Sequence, residues 1–192
     1  MYVTELLSFL QTICEKPHWE SEWIDLLSQL EYVGCRKILK GVPFERMDLN
    51  LLQHVSEEAS HAYLLKKAAG PEIAERSWRE GKFADLGWNY FRCLDEQTSR
   101  LPEEKQDCYP IVSWAIERRV MEVYPAYLKI TRNEELRRAL AAILEQEKRH
   151  GAQFEGWNLP TEVKDRAILI ERGLWREFVE GLKARVDPAP LS

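Results

Sequence analysis

No stretch of this sequence comes near the roughly 18 to 20 consecutive apolar residues that a bilayer-crossing helix requires, so no membrane span is expected. The opening residues, MYVTELLSFLQTICEK, lack a basic leader followed by an apolar stretch and a small-residue cleavage site, and the expected location is the cytoplasm. Cysteine is sparse and scattered. The four at positions 14, 35, 93 and 108 form no CxxC pair, which argues against a zinc ribbon, a rubredoxin-type iron site or a disulfide scaffold and leaves them as reduced thiols. Excess positive charge is missing too: 27 Lys and Arg stand against 32 Asp and Glu, a net charge of −5. The cations are dispersed, so nothing offers a basic face to a nucleic-acid backbone. Sustained apolar and polar alternation between hairpin turns is also lacking, which excludes a sheet protein.

What the sequence does have is apolar residues recurring at three- and four-residue spacing along most of its length, and the expected class is all-α. With 192 residues, 45% hydrophobic and 31% charged, it has the size and composition of one compact domain spanning 1–192. A short first helix, about 2–15, ends near Lys16-Pro17 and reads as an appendage. Helix A, about 20–40, stops before Gly41-Val42-Pro43, and helix B, about 48–69, closes on Gly70-Pro71. Two shorter amphipathic pieces between Pro71 and Pro102 are long enough together to cross a bundle. Helix C, about 103–131, contains Pro125, which removes a backbone donor and is expected to kink it. Helix D runs about 133–156, and a last helix, about 161–185, is expected to pack on the bundle (core about 20–156) from outside.

The chemistry sits on helices B and D. Glu58-Ala59-Ser60-His61 and Glu147-Lys148-Arg149-His150 are two ExxH motifs in a chain with only four histidines, and positions i and i+3 share a helix face. The surroundings one turn away decide which way each glutamate points. Glu58 has Val55 and Ala62, and Glu147 has Ile143, Leu144 and Gly151, so both face a core. On helix A the same test selects Glu31, flanked by Leu27, Ser28, Gly34 and Cys35, and places Glu20 and Glu22 at the polar start. On helix C it selects Glu117, among Ser113, Trp114, Val120 and Met121, while Glu122 follows Arg118 and Arg119 as a surface ion pair. Buried carboxylates are costly unless paired or bound to metal. Four of them with two neutral imidazoles balance two divalent cations, and mixed oxygen and nitrogen ligation suits iron or manganese, with zinc as the remaining alternative.

One Glu from each of two helices and an ExxH from each of two others resembles the ferritin-like di-iron carboxylate superfamily, over about residues 20–156. The resemblance implies an all-α, ferritin-like four-helix bundle with a long connection between B and C and extra helices at both termini. It implies two iron ions, or manganese or a mixed pair, with Glu58 and Glu147 bridging them and Glu31 and Glu117 each binding one terminally. Residues just before the ExxH glutamates, Glu57 and Gln146, would hydrogen-bond the histidines. The implied activity is an oxygen- or peroxide-activating oxidoreductase with an unidentified small-molecule substrate and an electron donor. Such a protein needs neither nucleic acid nor membrane, and a homodimer fits it. A ferroxidase or rubrerythrin-like iron-handling role and a metal-free helical interaction module are the alternatives; seven tryptophans and irregular added helices are unlike a cage subunit. His54, one turn before Glu58, is expected to be hydrogen-bonded within its helix pair, with an added ligand role as the sharper reading. Trp114 and Tyr124 share the stripe of Glu117 and read as core, and His18 reads as a loop residue.

Overall fold

A computed structural model describes residues 2–101, 108–155 and 159–187. Among the described residues there are eight α-helices, two short 3-10 turns and no strand: α1 (Tyr2–Cys14), α2 (Pro17–Gly41), α3 (Leu49–Ala68), α4 (Pro71–Ala74), α5 (Ala84–Thr98), α6 (Cys108–Ile130), α7 (Glu134–Glu155) and α8 (Thr161–Val186). No described helix is long and apolar enough to cross a membrane. The expected starts and stops follow local chemistry. Pro17 opens α2, where the missing N–H costs nothing. The Asp48 carboxylate accepts from the Leu51 N–H at 2.9 Å and caps α3, and Asn133 accepts from the Leu136 N–H at 3.0 Å and caps α7. Gly70, with φ of 99°, makes the turn that α3 needs before Pro71. His18 lies in the first turn of α2 rather than in a loop, because that helix already starts at Pro17. α6 stays helical across Pro125. Residues 103–107 of the expected helix C and residue 156 of helix D lie outside the described residues.

Cross-contacts fix how α2, α3, α6 and α7 run. Asp25 meets Lys66 while Glu31 and Glu58 belong to one cluster, so α2 and α3 are antiparallel. Lys67 meets Glu135 and His61 meets Gln146, so α3 and α7 are antiparallel. Thr131 bonds Glu20 and Tyr124 bonds Glu31, which makes α2 and α6 antiparallel as well. It follows that α3 and α6 run in the same direction across a diagonal. A chain leaving α3 must return along the whole bundle before α6 can begin, and the segment holding α4 and α5 performs that return.

The added helices belong to the same buried apolar cluster as the bundle. Phe9, Leu10 and Ile13 of α1 are fully buried, and Phe9 meets Trp23 edge-on at 5.2 Å, so α1 is core rather than an appendage. α8 inserts Trp175, Phe178 and Leu182 against α5, with Phe178 stacked on Tyr90 at 5.2 Å. Glu20 and Glu22, expected at a polar helix start, are both buried. Glu22 accepts from both terminal guanidinium nitrogens of Arg76 at 2.9 and 2.7 Å and from the Lys82 N–H at 2.8 Å. Burial raises Glu22, but those donors hold it below the usual carboxylate range. The pair secures the start of the crossover to α2.

Candidate metal centre

Glu31, Glu58, His61, Glu117, Glu147 and His150 are all buried, from four helices that each reach the middle of the bundle. His61 Nδ1 lies 3.0 Å from Glu147 Oε1 and 3.6 Å from Glu31 Oε2. His150 Nδ1 lies 3.3 Å from Glu147 Oε2, 3.8 Å from Glu58 Oε1 and 3.9 Å from Glu117 Oε1. The two oxygens of Glu147 therefore face different histidines. Two groups result, one of Glu31, Glu58, His61 and Glu147, the other of His54, Glu58, Glu117 and His150, with the ligand-type atoms of each group within 4.8 Å of one another. Glu58 is common to both.

His54 enters this cluster rather than keeping to its own helix pair. Its Nε2 is 3.2 Å from Glu58 Oε1 and 3.8 Å from Glu117 Oε1, and its ring centroid is 3.9 Å from that of His150. The signal was the i, i+4 spacing to Glu58, which puts His54 on the inward face of α3. Trp114 turns away instead, packing with Ala115 and Ile168, whereas Tyr124 faces the site and donates to Glu31. Glu122 is exposed and pairs with Arg119, as its basic neighbours implied.

The outer edges of the histidines are held crosswise between α3 and α7. His150 Nε2 is 2.7 Å from Glu57 Oε2, and His61 Nε2 is 2.7 Å from Gln146 Oε1. Both partners are acceptors there, so each Nε2 carries a proton, and an imidazole that is neutral turns its Nδ1 lone pair inward. Those inward atoms are orphans. While both imidazoles are neutral, His61 Nδ1, His150 Nδ1, Glu117 Oε2 and Glu147 Oε2 are buried without a hydrogen-bond partner among the described residues. Orphaned lone pairs converging in a dry interior are costly unless a cation sits among them, so the residues present fit a metal pair.

With no cation present protons balance the charge instead, and the inward Nδ1 atoms of His61 and His150 then carry hydrogen toward Glu147, 3.0 and 3.3 Å away. Burial and the neighbouring carboxylates raise Glu58 and Glu117 well above the usual range. Burial acts the same way on Glu147, but donors from Glu117, His150 and His61 outweigh it and hold Glu147 low. Burial disfavours the His61 imidazolium, yet the adjoining Glu147 and Glu31 carboxylates push it up to about 11. His54 goes the other way, down to about 4, through burial and the positive charge of His150. Gly34 makes room for Glu58, since a Cβ there would stand 2.5 Å from Glu58 Oε2.

Beside the carboxylates is a cavity of about 60 Å³, walled on the far side by Tyr90, Phe91, Val120 and Trp175. Comparison of the chain with protein families, curated proteins and solved structures found no match. Function therefore rests on the buried cluster and its surroundings.

Proposed function

We propose that this chain is a ferritin-like di-metal carboxylate protein, a single unit whose centre holds two iron ions or their manganese equivalents and activates oxygen or peroxide. The observation that carries the reading is the set of buried, unpartnered Nδ1 and carboxylate oxygen atoms converging from four helices. The helix order supports it: antiparallel neighbours and one long crossover between parallel helices are features of ferritin-like bundles. In this reading Glu31 and His61 would hold one ion, Glu117 and His150 the other, and Glu58 and Glu147 would be shared between them. Bound in the reduced state, the pair would supply electrons to oxygen or peroxide.

The chain's own residues do the rest. Glu57 and Gln146 lock the imidazoles in the orientation and tautomer that present Nδ1 inward. Tyr124 fixes one oxygen of Glu31. Trp175, Phe91 and Val120 keep bulk water away from the carboxylates. A cavity of about 60 Å³ holds a diatomic or a few atoms, far below the roughly 300–1,000 Å³ of pockets for larger ligands. That size also favours the second reading, oxidation of iron itself, in which no organic substrate need enter. A metal-free interaction module is disfavoured, since it would gain nothing from leaving four buried polar atoms unpartnered.

The test is elemental analysis with anomalous scattering on protein produced in ample iron. Two ions per chain are expected, and the His61→Ala/His150→Ala double variant should hold none. Full metal content in that variant would refute the assignment.

A further inference from the structure

We propose that the two metal positions are unequal: His54 is a ligand of the position it shares with His150, Glu117 and Glu58, and this position takes ferrous iron first and more tightly than the one at Glu31 and His61. The inference rests on the two-metal reading above and adds to it a seventh ligand and an order of loading.

His54 does more than close a hydrogen bond within its helix. Its Nε2 approaches oxygens of Glu58 on its own helix and of Glu117 on α6, while its ring lies 3.9 Å from the His150 ring on α7. Two imidazoles and two carboxylates from three helices thus meet around one point, all four buried. A hydrogen bond to Glu58 alone would not require Glu117 and His150 at that distance. The other group has one imidazole and three carboxylates. Imidazole nitrogen favours iron and the later divalent metals, whereas carboxylate oxygen favours manganese and magnesium. The first group is therefore the better ferrous site.

Two further features point the same way. His150 is backed by the Glu57 carboxylate and His61 only by the Gln146 amide, and a carboxylate makes the imidazole it holds a stronger donor. In the second group the Tyr124 hydroxyl occupies one oxygen of Glu31, drawing electron density from that ligand. Imidazole count, backing group and competing hydrogen bond all rank the positions alike. The first position also adjoins a small pocket of about 30 Å³ lined in part by His54, Ser113 and Glu117.

The experiment is equilibrium dialysis of the full metal-free chain against ferrous iron without oxygen. Wild type should show two classes of site, separated by about 10- to 100-fold in affinity, the range over which ligand backing alone acts. His54→Ala should weaken the tighter class by more than the wild-type separation, since it removes a ligand rather than a backing group, and leave the other. Glu57→Gln, on the outer edge, should weaken the same class by a smaller factor, which keeps the inference testable if His54→Ala folds poorly. In crystals of His54→Ala soaked with one equivalent of iron, the anomalous peak should lie beside Glu31 and His61. Two indistinguishable sites in wild type, an unchanged tight class in His54→Ala, or a peak remaining beside His150 would each overturn the inference while sparing the two-metal reading. Wild type that binds no iron would instead overturn that reading.

Discussion

Gly34 poses a conflict between helix stability and function at a single atom. Glycine within a helix costs about 1 kcal/mol relative to alanine, so Gly34→Ala should leave the fold as stable or stabilise it by up to about that amount. The new methyl would stand 2.5 Å from Glu58 Oε2, too close for contact, and the flexible end of Glu58 would swing away to make room. Thermal melting should therefore hold or rise while bound iron falls. A variant that keeps its iron would show that Glu58 is not held where two positions share it. The titrating groups give a second expectation. His61 keeps its proton in the folded state far beyond the ordinary 6.5, so its contribution to stability is complete below 6.5 and is lost as pH rises toward about 11. Glu58 and Glu117, raised above their ordinary 4.5, lose theirs in the same direction from 4.5 upward. Melting temperatures of the metal-free protein should fall as pH is raised above 6.5. With ferrous iron bound under anaerobic conditions that slope should flatten, because the metal replaces those protons. Equal slopes with and without iron would mean that the cluster does not bind it.

At the scale of the element, α1 and α8 are walls of the core. Phe9 is 1% exposed and packs on Trp23, so Phe9→Ala should destabilise by about 3–5 kcal/mol through the cavity it leaves. Denaturant midpoints measure this directly, and a loss under about 0.5 kcal/mol, typical of surface changes, would return α1 to the role of appendage. α8 contributes Glu171, whose oxygens take Arg119 Nε at 2.8 Å and Nη2 at 2.7 Å, with the Tyr90 hydroxyl donating to Glu171 at 2.8 Å. Arg119 lies over the Trp175 ring at 4.8 Å, on the rim of the cavity. The terminal helix thus shapes the space beside the carboxylates, which a helix packed on the outside would not do.

For the whole molecule, the proposed function sets a ceiling on iron, since the described residues offer two buried groups and a cavity of about 60 Å³. Aerobic addition of ferrous iron in large excess should saturate near two ions per chain, and sizing columns should show a monomer or small oligomer. Continued uptake by a large hollow assembly would move the function to iron storage without disturbing the six-residue cluster or the helix order. Oxygen consumption with no added organic substrate, measured in the same experiment, separates iron oxidation from an oxygenase that waits for a substrate.

The sequence by itself determined the helical class, the approximate ends of the long helices and the inward face of each. Those follow from local rules: proline and glycine stops, side-chain caps, and apolar neighbours one turn from Glu31, Glu58, Glu117 and Glu147. Glu57 and Gln146 followed from no local rule; the family resemblance suggested them, and the fold sets each against the histidine of the facing helix. The tertiary structure alone decided what depends on distant segments meeting. His54 looked like any histidine one turn from a glutamate until α6 and α7 brought Glu117 and His150 to it. Trp114 shared a stripe with Glu117 until Ile168 of α8 offered it a different partner. Glu20 and Glu22 read as a polar helix start because the groups that satisfy them, Thr131 and Arg76, lie 111 and 54 residues further along the chain. Periodicity reports the face a residue occupies, but the partner that makes a buried charge tolerable is chosen by packing, and packing is not local.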